Sequence, residues 1–327
     1  VKNKTPYVDQ PLNQLFFWER RPKGEIGIEV EVEGGPWPDG QATNWIPHVD
    51  NSLRNGGIEY VVRQPVLRER VGAALETLNK YLADSNKVFS YRTSIHVHVN
   101  VQDITLRQWV NYIALFCIFE ELLVNVVGPE RAGNKFCLRF KDADASMRLL
   151  RQGILDESLP NILGGDLKYA SCNLRATVSH GTLEFRAMRG NLEVPFIKAW
   201  VDVLLALKDA AKVARDPSVF VQEMSFLGPR EFARKYLPAN VITDSVLAQE
   251  DILSNSMYEG ARLAQDVAYC IEWGDPVVKA DIETQVEAEP MMFAADFGNI
   301  EARVAAAVPN WDQMFAELNV QAVRNAE

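Results

Sequence analysis

The stretch that most constrains this chain is Gly27-Ile28-Glu29-Val30-Glu31-Val32-Glu33-Gly34, in which apolar and acidic side chains alternate without a break. A two-residue period belongs to a β-strand, whose successive side chains point to opposite faces. Ile28, Val30 and Val32 therefore share one face, and Glu29, Glu31 and Glu33 the other. Carboxylates two residues apart on a strand lie about 7 Å apart, a range at which like charges repel unless solvent or a cation screens them. The run from Ser94 to Val101 repeats the pattern, with Ser94, His96, His98 and Asn100 opposite Ile95, Val97, Val99 and Val101. Thr182, Glu184 and Arg186 alternate with Leu183 and Phe185, and Asn173, Arg175 and Thr177 alternate likewise just before them.

Helical spacing surrounds these strands. Val71, Ala74, Leu75, Leu78 and Leu82 predict a helix over 71–82, lying on a sheet. Thr105 is placed to cap a long apolar helix that ends near Gly128-Pro129. Further helices are expected over 145–155, 195–214, 257–273 and 311–326. A short strand is expected over 58–62. The strands expected over 171–178 and 182–188 are separated only by Ser179, His180 and Gly181, which predicts an antiparallel hairpin. Strands gathered before residue 190, with helices between and after them, predict an α+β fold on an antiparallel or mixed sheet. The expected division is an N-terminal arm over 1–24, carrying the cluster Leu15, Phe16, Phe17 and Trp18, a catalytic domain over 25–215, and an acidic helical region over 216–327.

Composition narrows the function classes. With 327 residues, 47% of them hydrophobic, the chain can bury a real core. Cys117, Cys137, Cys172 and Cys270 form no CxxC pair, against a structural zinc site or a disulfide framework and in favour of a reducing cytoplasm. No secretory leader is recognised. The run from Trp109 to Val127 has membrane-spanning length, but Asn111, Glu120, Glu121 and Asn125 predict a core helix instead, and no membrane partner. Residues 241–327 hold 16 acidic and 4 basic side chains, so the net charge of −10 is almost wholly C-terminal. That sign argues against wrapping nucleic acid, which needs clustered Lys and Arg. Neither GxGxxG nor GxxxxGK[ST] occurs.

One alternative for the polar strand faces is an ordinary wet side of an antiparallel sheet. Against it, none of these strands carries Lys, the residue that solvated strands favour. Glu29, Glu31, Glu33, Glu59 and Glu184 against Arg186 give a shared face of charge about −4, which two magnesium ions would neutralise. A cupin-type metal pair at His96 and His98 is the rival reading, but Gln102 stands where that pattern expects Glu.

Four segments in this order, GIEVEVEG, DNSLRNGGIEYV with Pro65 after it, SIHVHVN and GTLEFRAMRG, resemble the amidoligase family of the glutamine synthetase and glutamate-cysteine ligase superfamily, over about residues 26–205. The resemblance implies a catalytic sheet curved as a half-barrel that binds ATP and two or more Mg2+ ions, with Mn2+ as a substitute. It implies a reaction joining a carboxylate to an amine through an acyl phosphate. Glu29, Glu31, Glu59 and Glu184 match the family's metal ligands, His98 its metal- or phosphate-facing histidine, and Arg186 the arginine that stabilises transferred phosphate. His96 and Arg175 are carried as catalytic candidates on the same face, and Asn100 and Asn173, beside His98 and Arg186, as nucleotide-binding ones. Glu33, Asp50 and Arg189 have structural readings as well, Asp50 as the stabiliser of the turn before Ser52. Nothing corresponds to the adenine-binding segments of glutamine synthetase, and nothing after residue 215 is matched. The family occurs in bacteria, fungi and bacteriophages, so the expected setting is cytoplasmic, the host cytoplasm for a phage protein. The expected partners are a small-molecule or peptide carboxylate and an amine acceptor. The competing functions are an inactive binding or virion-associated protein that keeps the fold, and a metal-dependent hydrolase.

Overall fold

The two longest runs of strict alternation become strands, and the two strands pair. In the computed structural model, which describes residues 6–16, 24–40, 42–131, 133–142, 145–159, 169–240 and 250–268, β1 spans Ile26–Gly34. It is followed by β2 (Trp45–Val49), β3 (Ile58–Val62), β4 (Lys87–Val88), β5 (Ser94–Asn100), β6 (Cys172–Asn173) and β7 (Thr182–Arg189). The seven-stranded sheet runs β2-β3-β1-β5-β7-β6, with β4 paired to the end of β1, and every pairing is antiparallel. Among the described residues the sheet is open. The expected helix over 311–326, residues 269–273, and Phe17 and Trp18 of the aromatic cluster lie outside the described residues.

The helices are α1 (Leu12–Leu15), α2 (Val71–Tyr81), α3 (Leu106–Val127), α4 (Ala145–Leu155), α5 (Arg175–His180), α6 (Val194–Val213), α7 (Ser218–Tyr236) and α8 (Glu250–Ala268). One face of the sheet is dry: Ile28, Val30, Val32, Ile95, Val97, Val99, Leu183 and Phe185 are fully buried. Each such side chain removed from water stabilises the fold by roughly 1.5–3 kcal/mol. Helix α3 provides the other half of that core, with the Phe116 and Tyr112 rings 4.8 and 5.4 Å from Phe185.

The N-terminus of α3 is closed by the expected Thr105, which accepts from the Gln108 backbone N–H while the Gln108 side chain accepts from Thr105 N–H. This helix is long and apolar enough to cross a membrane, but it sits inside the fold. Its Asn111 donates to Ala211 and Ala214 carbonyls, and Glu120 accepts from Ser171 Oγ and Phe140 N. Helix α8 packs along α3, and α7 is broken at Gly228-Pro229.

The structure departs from the sequence reading in two places for local reasons. The strand expected over 171–178 stops after Asn173, and α5 occupies the rest. The Asn173 side-chain oxygen accepts from Arg175 N–H, a turn that diverts the chain, and Leu174 is already in the helical region. Gly181, at φ +67°, then stops the helix with a left-handed residue. The antiparallel pairing of 172–173 with 184–185 survives, but the link is a helical turn rather than a hairpin loop. The other miss is β2, masked in the sequence by Pro47. It is an edge strand, where proline removes no ladder bond that a neighbour needs.

Candidate metal centre

Ladder register decides which polar side chains meet. Across β1 and β3, Glu31 faces Glu59 and Glu29 faces Val61. Across β1 and β5, Glu29 faces His96 and Gly27 faces His98. Across β5 and β7, His98 faces Glu184, which in turn faces Asn173 on β6. A register shift between Ile95 and Val97 sets the two β7 residues Arg186 and Ala187 against His96 alone. Such an irregularity re-aims side chains, and here Arg186 Nη1 comes 3.4 Å from His96 Nδ1.

The polar face is not a wet face. Glu31, His96 and Glu184 are 3%, 1% and 5% exposed, buried as deeply as core residues. His96 is the hub: Nδ1 lies 2.9 Å from Glu29 Oε2, 3.4 Å from Glu184 Oε1 and 3.9 Å from Glu59 Oε1. Its Nε2 lies 2.8 Å from Ser94 Oγ and 3.7 Å from Glu31 Oε1, while Ser94 Oγ donates to Glu31 Oε2 at 2.5 Å. His98 Nε2 is 3.1 Å from Glu29 Oε1 and its Nδ1 2.9 Å from Thr182 Oγ1. Asn173 donates to Glu184 Oε2 at 2.5 Å, and Arg186 donates to Glu184 Oε1 and, at 3.3 Å, to the Phe136 carbonyl.

Crowding of like charges leaves its mark on proton affinities. Burial first, then the charges of Glu29 and Glu31, push the Glu59 carboxyl up to about 9. Burial acts against ionisation of Glu29 too, but hydrogen bonds to His96 and His98 outweigh it and hold Glu29 well below the usual carboxylate range. Glu184 is also held low, burial being overcome by the Arg186 guanidinium beside it. The imidazole of His98 is buried, which disfavours its charge, yet its bond to Glu29 raises it overall.

Two sets of ligand atoms fall within 4.8 Å of one another, Glu29 with His96 and Glu184, and Glu31 with Glu59 and His96. Carboxylate oxygens suit hard divalent cations, and an imidazole nitrogen among them also suits transition metals. A carboxyl that keeps its proton up to about pH 9 because burial, and then its neighbours' charges, disfavour ionisation is a position where a cation would replace that proton. The donor set and its crowding fit a divalent metal.

Of the residues singled out in the sequence, Glu29, Glu31, Glu59, His96, His98, Asn173, Glu184 and Arg186 converge here. Arg175 does not: it belongs to α5 and is exposed, because the chain leaves the sheet after Asn173. Asn100 has the right face, but its amide donates to Gly24 O and accepts from Gln102 N, so it braces backbone. Glu33 is buried and accepts from Arg54 N–H at 2.8 Å, and Asp50 accepts from Ser52 N–H as expected. Arg189 lies against Phe196 and near Glu130.

The sequence reading missed His48, His180 and Arg131. His48 is the ladder partner of Glu59, and the His180 ring sits edge-on to His98 at 5.9 Å, so all four histidines of the chain gather on or beside this face. Arg131 is fully buried and donates to Arg186 O at 3.3 Å.

An open antiparallel sheet with helices on its dry face and a buried carboxylate–imidazole cluster on the other defines an α+β protein with a candidate divalent-metal centre. The family model described as "Putative amidoligase enzyme" matches residues 58–208, from β3 through α6, including Glu59, His96, His98, Glu184 and Arg186. The match supports assigning that region of the chain to the amidoligase family. Strand β1 precedes the match, and Glu29 and Glu31 join the site through ladder register. No curated protein matches the chain.

Proposed function

We propose that the chain is an ATP- and Mg2+-dependent amidoligase that joins a carboxylate to an amine through an acyl phosphate. The observation that carries this reading is the convergence of Glu29, Glu31, Glu59 and Glu184 on His96, with Glu31 and Glu184 buried, a crowding of carboxylates that a divalent cation would compensate. The family match over residues 58–208 supports the ligase class.

A carboxylate is a poor electrophile. When its oxygen attacks the terminal phosphorus of ATP and ADP departs, the resulting acyl phosphate has a good leaving group. The amine then adds to the acyl carbon, expels phosphate and gives up a proton. Glu29, Glu31, Glu59, Glu184 and His96 would hold the metal ions, which when bound offset charge on the phosphates. Arg186, oriented by Glu184 and the Phe136 carbonyl, carries donors suited to the oxygens of the transferring phosphoryl group. Ser94 and Asn173 keep Glu31 and Glu184 in fixed rotamers. A site carboxylate not engaged with metal would take the proton from the attacking ammonium.

The test is incubation with ATP, Mg2+, a panel of carboxylates and hydroxylamine, which traps an acyl phosphate as a hydroxamate. Nucleotide-dependent hydroxamate and phosphate release are expected with at least one donor. Folded protein that yields neither with any donor overturns the reading, and metal-dependent turnover without nucleotide would mark a hydrolase.

A further inference from the structure

At the Glu31 end of the metal centre, three loops converge. The 50–57 loop is tied to the sheet where Arg54 N–H donates to Glu33 Oε1 at 2.8 Å, and Glu33 follows Glu31 on the same face, about 7 Å along the strand. The 89–93 turn leads into Ser94, which holds Glu31. Arg92 Nη1 donates to Ser52 O at 2.8 Å, closing the first loop onto the second. In the third segment, Asn134 donates to Tyr91 O at 2.9 Å, two residues before Phe136, whose carbonyl orients Arg186.

These ties place two guanidinium groups around one exposed ring. Arg54 Nη2 donates to the Tyr91 phenol oxygen at 2.6 Å, and the Arg54 and Arg92 guanidinium carbons lie 5.3 and 5.8 Å from the ring centroid. Tyr91 is 54% exposed. Its phenol is lowered from its ordinary value, first by its interaction with Arg92, burial opposing, and then by the charges of Arg54 and Arg92. Two like charges thus flank a single phenol ring. Among the described residues neither arginine pairs with a carboxylate, and Arg92 Nε is buried without a hydrogen-bond partner. Guanidinium groups brought together with donors left over match the paired oxygens of a carboxylate or phosphate.

We propose that Arg54 and Arg92, braced by Tyr91, form a subsite for an oxyanion on the substrate, a carboxylate or a phosphate, seated beyond Glu33 at the edge of the metal centre. The identity of the molecule that carries this oxyanion rests on the ligase reading; the anion site itself does not. On the ligase reading the substrate carries an anionic group besides the reacting carboxylate, as in a dicarboxylic acid or a peptide with a second carboxylate, if carboxylate is the source. A nucleotide phosphate is the other source of the same chemistry.

The test is arginine labelling of the full chain by phenylglyoxal with Mg2+ present, mapped by peptide, with glutarate in one arm and inorganic phosphate in another. Labelling of Arg54 and Arg92 slows in the arm whose anion fits, while the exposed Arg63 and Arg70 react at their ordinary rate. Unchanged labelling of Arg54 and Arg92 in both arms, or equal slowing at Arg63 and Arg70, overturns the proposal. In the hydroxamate assay, Arg54→Met with Arg92→Met raises the KM of the carboxylate, or of ATP, by about tenfold or more, with Mn2+ affinity retained, and Lys at both positions recovers part of the loss. A normal KM for both substrates in that variant also overturns it. Absence of hydroxamate from the wild type would remove the ligase reading and leave the labelling result to decide the subsite.

Discussion

Glu59 stands directly opposite Glu31 across the β1–β3 ladder, and both carboxylates come within ligand distance of His96. Like charges in facing ladder positions destabilise a sheet, so in the metal-free protein the pair persists because Glu59 holds its proton up to about pH 9. Glu59→Gln removes that conflict while keeping the shape. The metal-free variant is expected to melt at or above the wild-type temperature. The stabilisation given by Mg2+ or Mn2+ should shrink, by about 1.4 kcal/mol for each tenfold loss of affinity. Calorimetric melting with and without metal checks both, and a metal-free variant that melts well below wild type would assign Glu59 a structural role.

Arg186→Lys separates charge from geometry. The guanidinium reaches Glu184 through Nη1 and the Phe136 carbonyl through Nε, a fork that an ammonium cannot reproduce. Melting temperature should change little, because Glu184 keeps a cationic neighbour. Phosphate release should fall by about 10²-fold or more, the loss that follows removal of one preorganised transition-state donor. Steady-state rates at saturating ATP are the measurement, and near-normal turnover would remove Arg186 from the phosphoryl group.

The parts of this molecule that were legible in its sequence are those where local pattern and tertiary environment ask for the same thing. Strands β1 and β5 need one dry face and one polar face, and their alternation says so residue by residue. Helix α3 carries its own capping box. Arg175 and Thr177 fit the same two-residue period, yet a side-chain-to-backbone bond at Asn173 turns that segment into α5 and removes Arg175 from the site. There the helix seats Thr177 under Trp109, whose indole donates to it at 3.1 Å, a contact that no local pattern announces. His48 and His180 reach the site only because distant strands pair in a particular register. Arg54 and Arg92 meet through loops 38 positions apart, where hydrophobic periodicity carries no signal.

Gly181 is the hinge of the segment that the sequence misassigned. It occupies φ +67°, and a Cβ there would lie 2.5 Å from Gln102 Cγ, a side chain that is itself buried. Gly181→Ala is expected to destabilise the fold by about 1–2 kcal/mol. It should also disturb the contact of Thr182 with His98, since the two residues are neighbours in the chain. Urea unfolding measures the first effect and metal affinity the second. A variant as stable as wild type would mean that α5 can end without a left-handed residue.

Glu120 gives the fold a pH dependence of its own, on the dry side of the sheet. It is buried in α3, and burial raises its carboxyl to about 7, the hydrogen bond from Ser171 and that from Phe140 N–H opposing the shift. Below the ordinary value of 4.5 the group is protonated in both folded and unfolded chains, and its favourable contribution is fully present. Between 4.5 and about 7 the folded chain keeps a proton that the unfolded chain has released. Stability therefore falls as pH rises through this window and changes no further above it on account of this group. Glu120→Gln keeps an acceptor without a titrating proton. The difference in unfolding free energy between wild type and variant, measured in urea from pH 4.5 to 8, is expected to move against the wild type up to about pH 7 and then level. Parallel profiles across that range would mean that the carboxylate ionises at its ordinary value, with Ser171 and Phe140 sufficient to hold it charged in the core.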